Sequence, residues 1–342
     1  ILLESRSERH LVEVGANADL ARFADRETES YHDARVWAVT RRDLGPGEIE
    51  GELRVARLHQ ERASPDDLGC THYNDEILCT RLTEFRTDRA AVAYSYLPGR
   101  LMLRGDLSYT TTDYDDTLLP LRTRAMSNDD RDRSSADVGL RLGYAFSPAY
   151  AAYVETRIDS TEYEQRKDRD GFQRSSEGIE ARLGMLLDFS GNTVGEAYLG
   201  YFERDFADQR FGTAGGPTFG ADIRWDINNA TTLSIAGRRH IESTIVFGAS
   251  AISKSRLSLS ADHELSGNLV LNAAIGIGKD EFENLEREDE LIEFRLGGTY
   301  YLTRYLRMAL GYRHRTRNTS PANTGARVFD AGELFLRMVG QL

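Results

Sequence analysis

Residues 256–278 read RLSLSADHELSGNLVLNAAIGIG, and this stretch decides the fold class. Its first half alternates leucine and alanine with arginine, serine and acidic residues. A period of two is typical of a strand with one apolar face, because successive side chains of a strand point to opposite sides. Ser266-Gly267-Asn268 is turn chemistry, and a second alternating segment begins at Leu269. The stretch therefore predicts a β-hairpin.

The same alternation recurs along most of the chain. Many of the runs reach about ten residues, which is the length that crosses a bilayer as a tilted strand. A soluble sandwich or propeller is the alternative, but its strands usually run about five or six residues. We therefore expect residues 1–342 to form a single all-β domain, a transmembrane antiparallel up-and-down barrel of about 16–18 strands. Further alternating segments are 101–108, 137–146, 179–189, 219–227, 292–302, 306–315 and 333–342.

Composition excludes two other classes of protein. No window approaches the unbroken run of about 18 apolar residues that a transmembrane helix needs. The net charge is -12 and no basic stripe is visible in the sequence, so nucleic acid is not an expected partner. A barrel remains compatible with 29% charged residues, because only every second strand residue meets lipid.

Short and long connections alternate, as they do in barrels with tight periplasmic turns and long extracellular loops. This pattern places the protein in the outer membrane of a Gram-negative bacterium, with lipid and lipopolysaccharide around it. The short connections are 44–47, 97–100, 147–149, 190–192, 228–229, 266–268 and 303–304. The long ones are 59–80, 115–134, 166–175, 207–216, 242–253, 280–290 and 316–326.

Counting strands back from Leu342 gives about sixteen that begin near His10, plus a stub at 1–4. Single-chain bacterial barrels have even strand numbers. We therefore expect a further strand and a signal peptide upstream of Ile1 in the precursor. A barrel of this size is wide enough for an aqueous lumen.

Cys70 and Cys79 are the two cysteines, and both fall in a long polar connection. Because that connection lies on the oxidising outer side, we predict a disulfide between them. Two unpaired thiols are the alternative. The neighbouring His59 and His72 do not complete a recognised zinc spacing, so no metal site is predicted.

Several longer phrases resemble the putative beta-barrel porin 2 family of outer-membrane proteins. They cover most of the chain from about Tyr31 onward. They are typical of the fold and contain no catalytic signature. The phrases are HQERASPDD at 59–67, GDLSYTTTDYDD at 105–116, NDDRDR at 128–133, GLRLGYAFSPAYAAYVE at 139–155, AYLGYFERDFAD at 197–208, FGADIRWDI at 219–227, DHELSGNLVLNAAIG at 262–276 and GTYYLTRYLRMALGYRHRTR at 298–317.

The resemblance implies an outer-membrane channel that exports a polysaccharide, of the capsular or exopolysaccharide kind. It also implies a periplasmic polysaccharide export protein as partner, which delivers the polymer to the barrel. Two alternatives stay open: a structural barrel that anchors a surface assembly, and a general diffusion porin. No cofactor and no catalytic residue is expected, because no signature joins His240, His263 or His314 to a nucleophile.

The polar residues of the alternating segments are the side chains expected to line the lumen. They could form a hydrophilic track for sugars or ions, or a cross-strand lattice of ion pairs that only satisfies the wall. Tyr153, Tyr198, Phe202 and Tyr301 are the inward aromatics that could stack on sugar rings. The lumen-lining candidates are Arg104, Asp106, Arg141, Tyr153, Glu155, Arg157, Glu180, Arg182, Tyr198, Asp222, Arg224, Arg256, Glu293, Arg295, Arg307, Arg313 and Arg337.

Overall fold

The computed structural model of the chain describes residues 1–62, 64–67, 69–73, 76–118, 125–189, 191–321 and 328–340. These residues form strands joined by turns, with short 3₁₀ turns at Glu27–Glu29 and Asp129–Arg131. No helix among them is long and apolar enough to span a bilayer. The strands are β1 Leu2–Arg6, β2 His10–Ala21, β3 Tyr31–Asp43, β4 Gly47–His59, β5 Cys70–Tyr73, β6 Glu76–Cys79, β7 Glu84–Tyr96, β8 Leu101–Tyr114, β9 Thr117–Leu118, β10 Ala125–Met126, β11 Arg133–Ser147, β12 Tyr150–Tyr163, β13 Ser176–Phe189, β14 Thr193–Phe206, β15 Thr213–Asn228, β16 Thr231–Ser243, β17 Ala251–Ser266, β18 Leu269–Phe282, β19 Glu288–Thr303, β20 Leu306–Ser320 and β21 Phe329–Gly340.

One antiparallel sheet of 17 strands makes up the barrel, and each of its strands pairs with the next sheet strand along the chain. The hairpin predicted from residues 256–278 is β17 and β18, with Leu257 opposite Ile277 and Leu259 opposite Ile275. The short hairpins β5–β6 and β9–β10 lie within two of the long connections. The fold class predicted from the alternation is thus confirmed as an up-and-down barrel.

The two faces of the sheet differ in the way that lipid requires. Large apolar side chains stand exposed on the outer face, for example Leu140 at 59%, Leu199 at 72% and Leu334 at 74%. In a water-soluble protein such a continuous apolar surface would be unfavourable. Because a barrel in a bilayer has hydrocarbon around it, its apolar side chains belong on the outside.

All the tight turns lie at one end of the barrel and the longer connections at the other. At residues 97–100 the sequence Pro98-Gly99 supplies the turn, and Gly99 has a φ of 68° that favours glycine. The opposite end carries connections such as 60–69 before β5 and 164–175 between β12 and β13. Short turns mark the periplasmic end and long connections the extracellular end.

The strands β1 and β21 are the two ends of the sheet order. β1 pairs with β2 over its five residues, from Leu2 to Arg6. β21 pairs with β20, and within the described residues no pairing joins β21 to β1. The predicted stub is therefore a short strand of the sheet. The upstream strand expected from the parity of the count stays a prediction.

Candidate functional site: the lumen wall and its outer mouth

A polar cavity of about 450 Å³ lies against the inner face of β4, β7, β8, β11, β12 and β14. The alternation places all the predicted lumen-lining residues on this inner face, opposite the exposed apolar side chains. They do not share one environment. Residues that line this cavity include Glu50, Glu52, Arg89, Arg104, Asp106, Ser108, Arg141, Glu155, Arg157 and Glu196.

Glu155 on β12 is the centre of a dense ion-pair cluster. It is only 4% exposed, and its carboxylate accepts hydrogen bonds from Arg141 at 2.6 Å, Arg157 at 3.2 Å and Arg182 at 3.1 Å. Cross-strand register explains the cluster, since Glu155 lies opposite Arg141 on β11 and opposite Arg182 on β13. One buried carboxylate thus holds three guanidinium groups from three strands.

Further acids complete the cluster, which we call the paired wall. Arg157 reaches Asp106 at 2.9 Å, Arg182 reaches Glu180 at 2.7 Å, and Arg141 reaches Glu196 at 2.9 Å. The paired wall comprises Asp106, Arg141, Glu155, Arg157, Glu180, Arg182 and Glu196. For these residues the lattice of ion pairs is the better of the two interpretations that the sequence left open.

The two inward tyrosines that pack against the paired wall, Tyr153 and Tyr198, are covered on both sides. Tyr153 is 2% exposed, and a Cβ on the opposing Gly184 would lie 2.2 Å from its ring. The guanidinium of Arg141 covers its other face at 3.9 Å. Tyr198 has the same arrangement, with Gly220 behind it and Arg182 in front at 4.5 Å. Sugar stacking on these rings is therefore not available, because glycine and arginine already occupy both faces.

Phe202, the other inward aromatic on β14, is 5% exposed and therefore buried. Tyr301 differs from all three, because 42% of it is exposed. The exposure of an inward aromatic, and not its identity, separates these four candidates.

The remaining predicted residues have fewer partners. Arg224 contacts Asp226 at 3.0 Å, Arg256 contacts Asp280 at 2.5 Å, and Arg104 donates to the Ser95 hydroxyl at 3.0 Å. Two ion pairs on the last strands join Arg295 to Glu293 and Arg313 to Glu333. Asp222, Arg307 and Arg337 have no ion-pair partner among the residues that the structure describes.

The extracellular connections meet above the lumen. Asp66, between β4 and β5, accepts hydrogen bonds from the Thr244 hydroxyl at 2.5 Å and the Ile245 amide at 3.1 Å. In the sheet order β4 is fourth and β16, which precedes Thr244, is twelfth of 17 strands. Positions so far apart face each other in a barrel, so this contact crosses the outer mouth. We call the described residues of 60–83, 115–132, 164–175, 207–212, 244–250 and 283–287 the canopy.

A buried arginine joins two connections of the canopy. The side chain of Arg174 is 2% exposed, and it donates to Asp168 at 2.5 Å and to the carbonyls of Thr244 and Ala249 at 2.6 and 2.7 Å. The stacked rings of Phe172 and Phe211 lie beside it. Because the connections 164–175 and 244–250 share one desolvated cation, displacing either of them leaves buried polar groups unpaired.

Two carboxylates of the canopy have lowered pKa values. Burial raises the pKa of Asp130, but hydrogen bonds from Arg169 at 2.7–2.9 Å outweigh it and leave that pKa below its ordinary value. Hydrogen bonds from Arg210 hold the pKa of Asp208 well below its usual range. Both acids therefore stay ionised at neutral pH and keep their arginine partners.

The sequence missed Glu196 and the canopy residues for different reasons. Glu196 lies two residues before Tyr198 on the inner face, so the alternation alone could have identified it. The canopy contacts of Asp66, Arg131 and Arg174 follow no periodic pattern. Arg131, for example, meets Gln60 at 2.9 Å although 71 positions separate them. Such contacts depend on how the connections fold together.

The predicted Cys70–Cys79 disulfide concerns side chains that lie outside the described part of the structure. The backbones of the two residues pair directly opposite each other in the hairpin β5–β6. Opposed residues of an antiparallel pair have Cα atoms about 4.5–5.5 Å apart, which is compatible with a disulfide. The bond therefore stays a prediction.

Comparison with known proteins adds two findings. The family model for putative beta-barrel porin 2 matches residues 1–341. No curated protein sequence matches the chain.

Solved structures that resemble the chain are outer-membrane barrels. The FrpB iron transporter of Neisseria meningitidis (F5-1 variant) has a TM-score of 0.55 and 9% identity, with coverage of 95% of this chain and 61% of that one. The siderophore receptor PiuA of Acinetobacter baumannii has a TM-score of 0.51 and 9% identity, with coverage of 96% and 63%. The chain therefore spans about three fifths of the length of these proteins. At this identity the likeness shows the fold and nothing finer.

Proposed function

This chain belongs to the putative beta-barrel porin 2 family and is an integral outer-membrane barrel of a Gram-negative bacterium, and from that premise we propose that it is a channel through which a polysaccharide leaves the cell. The observation that carries the proposal is the lumen wall, which presents hydrophilic and charged side chains around a polar cavity of about 450 Å³. A sugar polymer needs such a surface, because its hydroxyls must keep hydrogen-bonding partners during passage.

The proposed partners follow from the same reasoning. A passive barrel supplies no driving force, so a periplasmic polysaccharide export protein would deliver the polymer at the end that carries the tight turns. Lipid and lipopolysaccharide would surround the outer face with its exposed leucines. A general diffusion porin would share the wall, but the canopy that crosses the outer mouth gives free diffusion a narrower path.

The canopy favours one competing function, a closed barrel that anchors a surface assembly. Asp66 crosses the mouth to Thr244 and Ile245, and the buried Arg174 joins two connections. If these contacts never open, polymer cannot pass. The two functions therefore differ in whether the canopy can move.

Planar-bilayer conductance of the purified barrel separates these functions. We expect a channel for the wild type, or for the variant Asp66→Ala, in which the hydrogen bonds across the mouth are removed. Glu61→Ala is a matched control, since Glu61 is an exposed acid of the same connection. Barrels that stay silent in all three forms would support the anchor.

A second experiment tests export itself. Deletion of the gene should lower extracellular polysaccharide, and a plasmid copy should restore it. Normal extracellular polysaccharide in the deletion strain would overturn the proposed cargo while leaving the channel intact.

A further inference from the structure

Five arginines share the inner face of the last three sheet strands. They are Arg295 on β19, Arg307, Arg313 and Arg315 on β20, and Arg337 on β21. All have odd numbers, whereas the exposed Leu310, Leu334 and Leu336 of the outer face have even ones. Because the alternation has a period of two, the five side chains point into the lumen. We call this set the arginine stripe.

Positive charge on the stripe exceeds negative charge. The acids of these strands at the same level are Glu293 and Glu333, and each already pairs with one arginine, Arg295 and Arg313 respectively. Among the described residues Arg307, Arg315 and Arg337 have no ion-pair partner. The stripe therefore carries three uncompensated positive charges.

Register brings like charges together in the stripe. Arg295 lies directly opposite Arg313, and their like charges are offset only by the carboxylates of Glu293 and Glu333, one for each arginine. In the paired wall, buried carboxylates offset the charges of the neighbouring arginines. The stripe leaves Arg307 and Arg337 exposed to the lumen.

Two exposed aromatic rings alternate with these arginines. Tyr301 lies opposite Arg307 and is 42% exposed, while Phe335 lies opposite Gly311 and is 39% exposed. An apolar ring facing an aqueous lumen has an unfavourable contact with water, which the face of a sugar ring can replace. Phe335 packs one face on Gly311 as Tyr153 does on Gly184, but among the described residues no arginine covers the other face of Phe335, whereas Arg141 covers that of Tyr153.

Along β20 the aromatic and cationic groups follow one another at steps of two residues. Tyr301 lies at the level of Arg307, Arg337 at that of Ala309, and Phe335 at that of Gly311. The levels of Arg313 and Arg315 come next. Each step of two residues advances about 7 Å, so the series from 307 to 315 covers roughly 27 Å along the strand, or about 20 Å of the height of the barrel because barrel strands tilt by about 35–45°.

We propose that the arginine stripe, with Tyr301 and Phe335, is a binding track for an acidic polysaccharide whose sugars carry carboxylates. Guanidinium groups bind carboxylates through paired hydrogen bonds, and the rings contact the sugar faces between them. This inference rests on the proposed export function and narrows its cargo to an anionic polymer.

Binding of oligosaccharide probes tests the track. The probes are an octamer of galacturonic acid and maltooctaose, a neutral octamer of glucose, measured by equilibrium dialysis against the detergent-solubilised barrel and by block of conductance. We expect the acidic probe to bind more tightly at low salt, and added salt to weaken it, because exposed charges are screened.

The double variant Arg307→Gln/Arg337→Gln should weaken binding of the acidic octamer by roughly tenfold or more and leave maltooctaose unchanged. Arg57→Gln/Arg86→Gln is the matched control. It removes the same number of charges from ion pairs with Glu84 and Asp88 on the outer face near the extracellular end. Tyr301→Ser should weaken both probes, and Tyr301→Phe should restore them.

Equal affinity of the wild type for the two octamers would overturn the track, as would an unchanged acidic affinity in Arg307→Gln/Arg337→Gln. The dialysis readout does not need an open channel. A barrel that binds the acidic octamer but neither conducts nor supports export would therefore overturn the proposed function alone.

Discussion

The paired wall and the arginine stripe use the same residue type on the same face of one barrel, yet their arginines have opposite surroundings. In the paired wall the side chain of Arg182 is 14% exposed and contacts two carboxylates. In the stripe the side chain of Arg295 is 61% exposed, and Arg337 has no ion-pair partner within the described residues. The number of partners and the exposure of an inward arginine, and not its presence, therefore separate a structural role from a binding role.

Removal of the Glu155 carboxylate should have the largest effect on stability among the changes predicted here. Glu155→Ala leaves Arg141, Arg157 and Arg182 without their common acceptor, so we expect the free energy of unfolding to fall by about 3–5 kcal/mol. Unfolding in urea, followed by tryptophan fluorescence of the barrel in lipid vesicles, measures it. The control Glu333→Ala removes an acid whose side chain is 53% exposed and pairs with Arg313, so it should cost less than about 1 kcal/mol. Equal losses would remove the distinction between the regions.

Replacing a glycine that lies under a covered tyrosine should have an intermediate effect on the free energy of unfolding. A Cβ at Gly184 would lie 2.2 Å from the Tyr153 ring, so Gly184→Ala must displace that ring and should cost about 1–3 kcal/mol. At Gly276, also on the inner face, the nearest atom would be 3.8 Å away, and Gly276→Ala should be tolerated. The same unfolding assay compares the two. If both variants are neutral, the tyrosine is not held as the structure indicates.

A new acid beside the stripe should pair with one of its arginines, as the acids of the paired wall do. Ala309 lies opposite Arg337, so Ala309→Glu gives this arginine a partner, with a change in stability below about 1 kcal/mol because the pair is exposed. Binding of the acidic octamer should weaken several-fold, since one charge of the track is compensated. Ala309→Gln, which has nearly the same size without the charge, should bind as the wild type does. A similar loss with glutamine would indicate a steric effect.

The smallest expected effect concerns pH and the canopy, whose aspartates titrate while the arginines of both regions stay charged. Because the pKa values of Asp130 and Asp208 are lowered by folding, their stabilisation is present above the ordinary carboxyl pKa of about 3.9 and is lost as pH falls through the lower folded values. Pepsin cleavage within the canopy should therefore increase only below about pH 4. Asp130→Asn should be cleaved more readily across the whole acidic range, and identical profiles would contradict this assignment.

The alternation of apolar and polar residues is enough to specify the barrel. Alternation in runs such as 256–265 assigns one face to lipid and one to the lumen, since a period of two is a local property of strands. Turn chemistry at Pro98-Gly99 and Ser266-Gly267-Asn268 likewise ordered the connections into a short and a long set. Both signals are contained within a few neighbouring residues, so no tertiary information was needed.

The roles of the inward side chains depend instead on contacts that form in the folded barrel. The sequence showed no basic stripe, because Arg295, Arg313 and Arg337 come from three strands and meet only through register. It also could not distinguish the covered Tyr153 from the exposed Tyr301, since an opposing glycine and a neighbouring arginine create that difference. Register, cross-strand neighbours and contacts across the mouth join residues far apart in the chain. The pattern along one strand therefore specifies the direction of a side chain but not its partners.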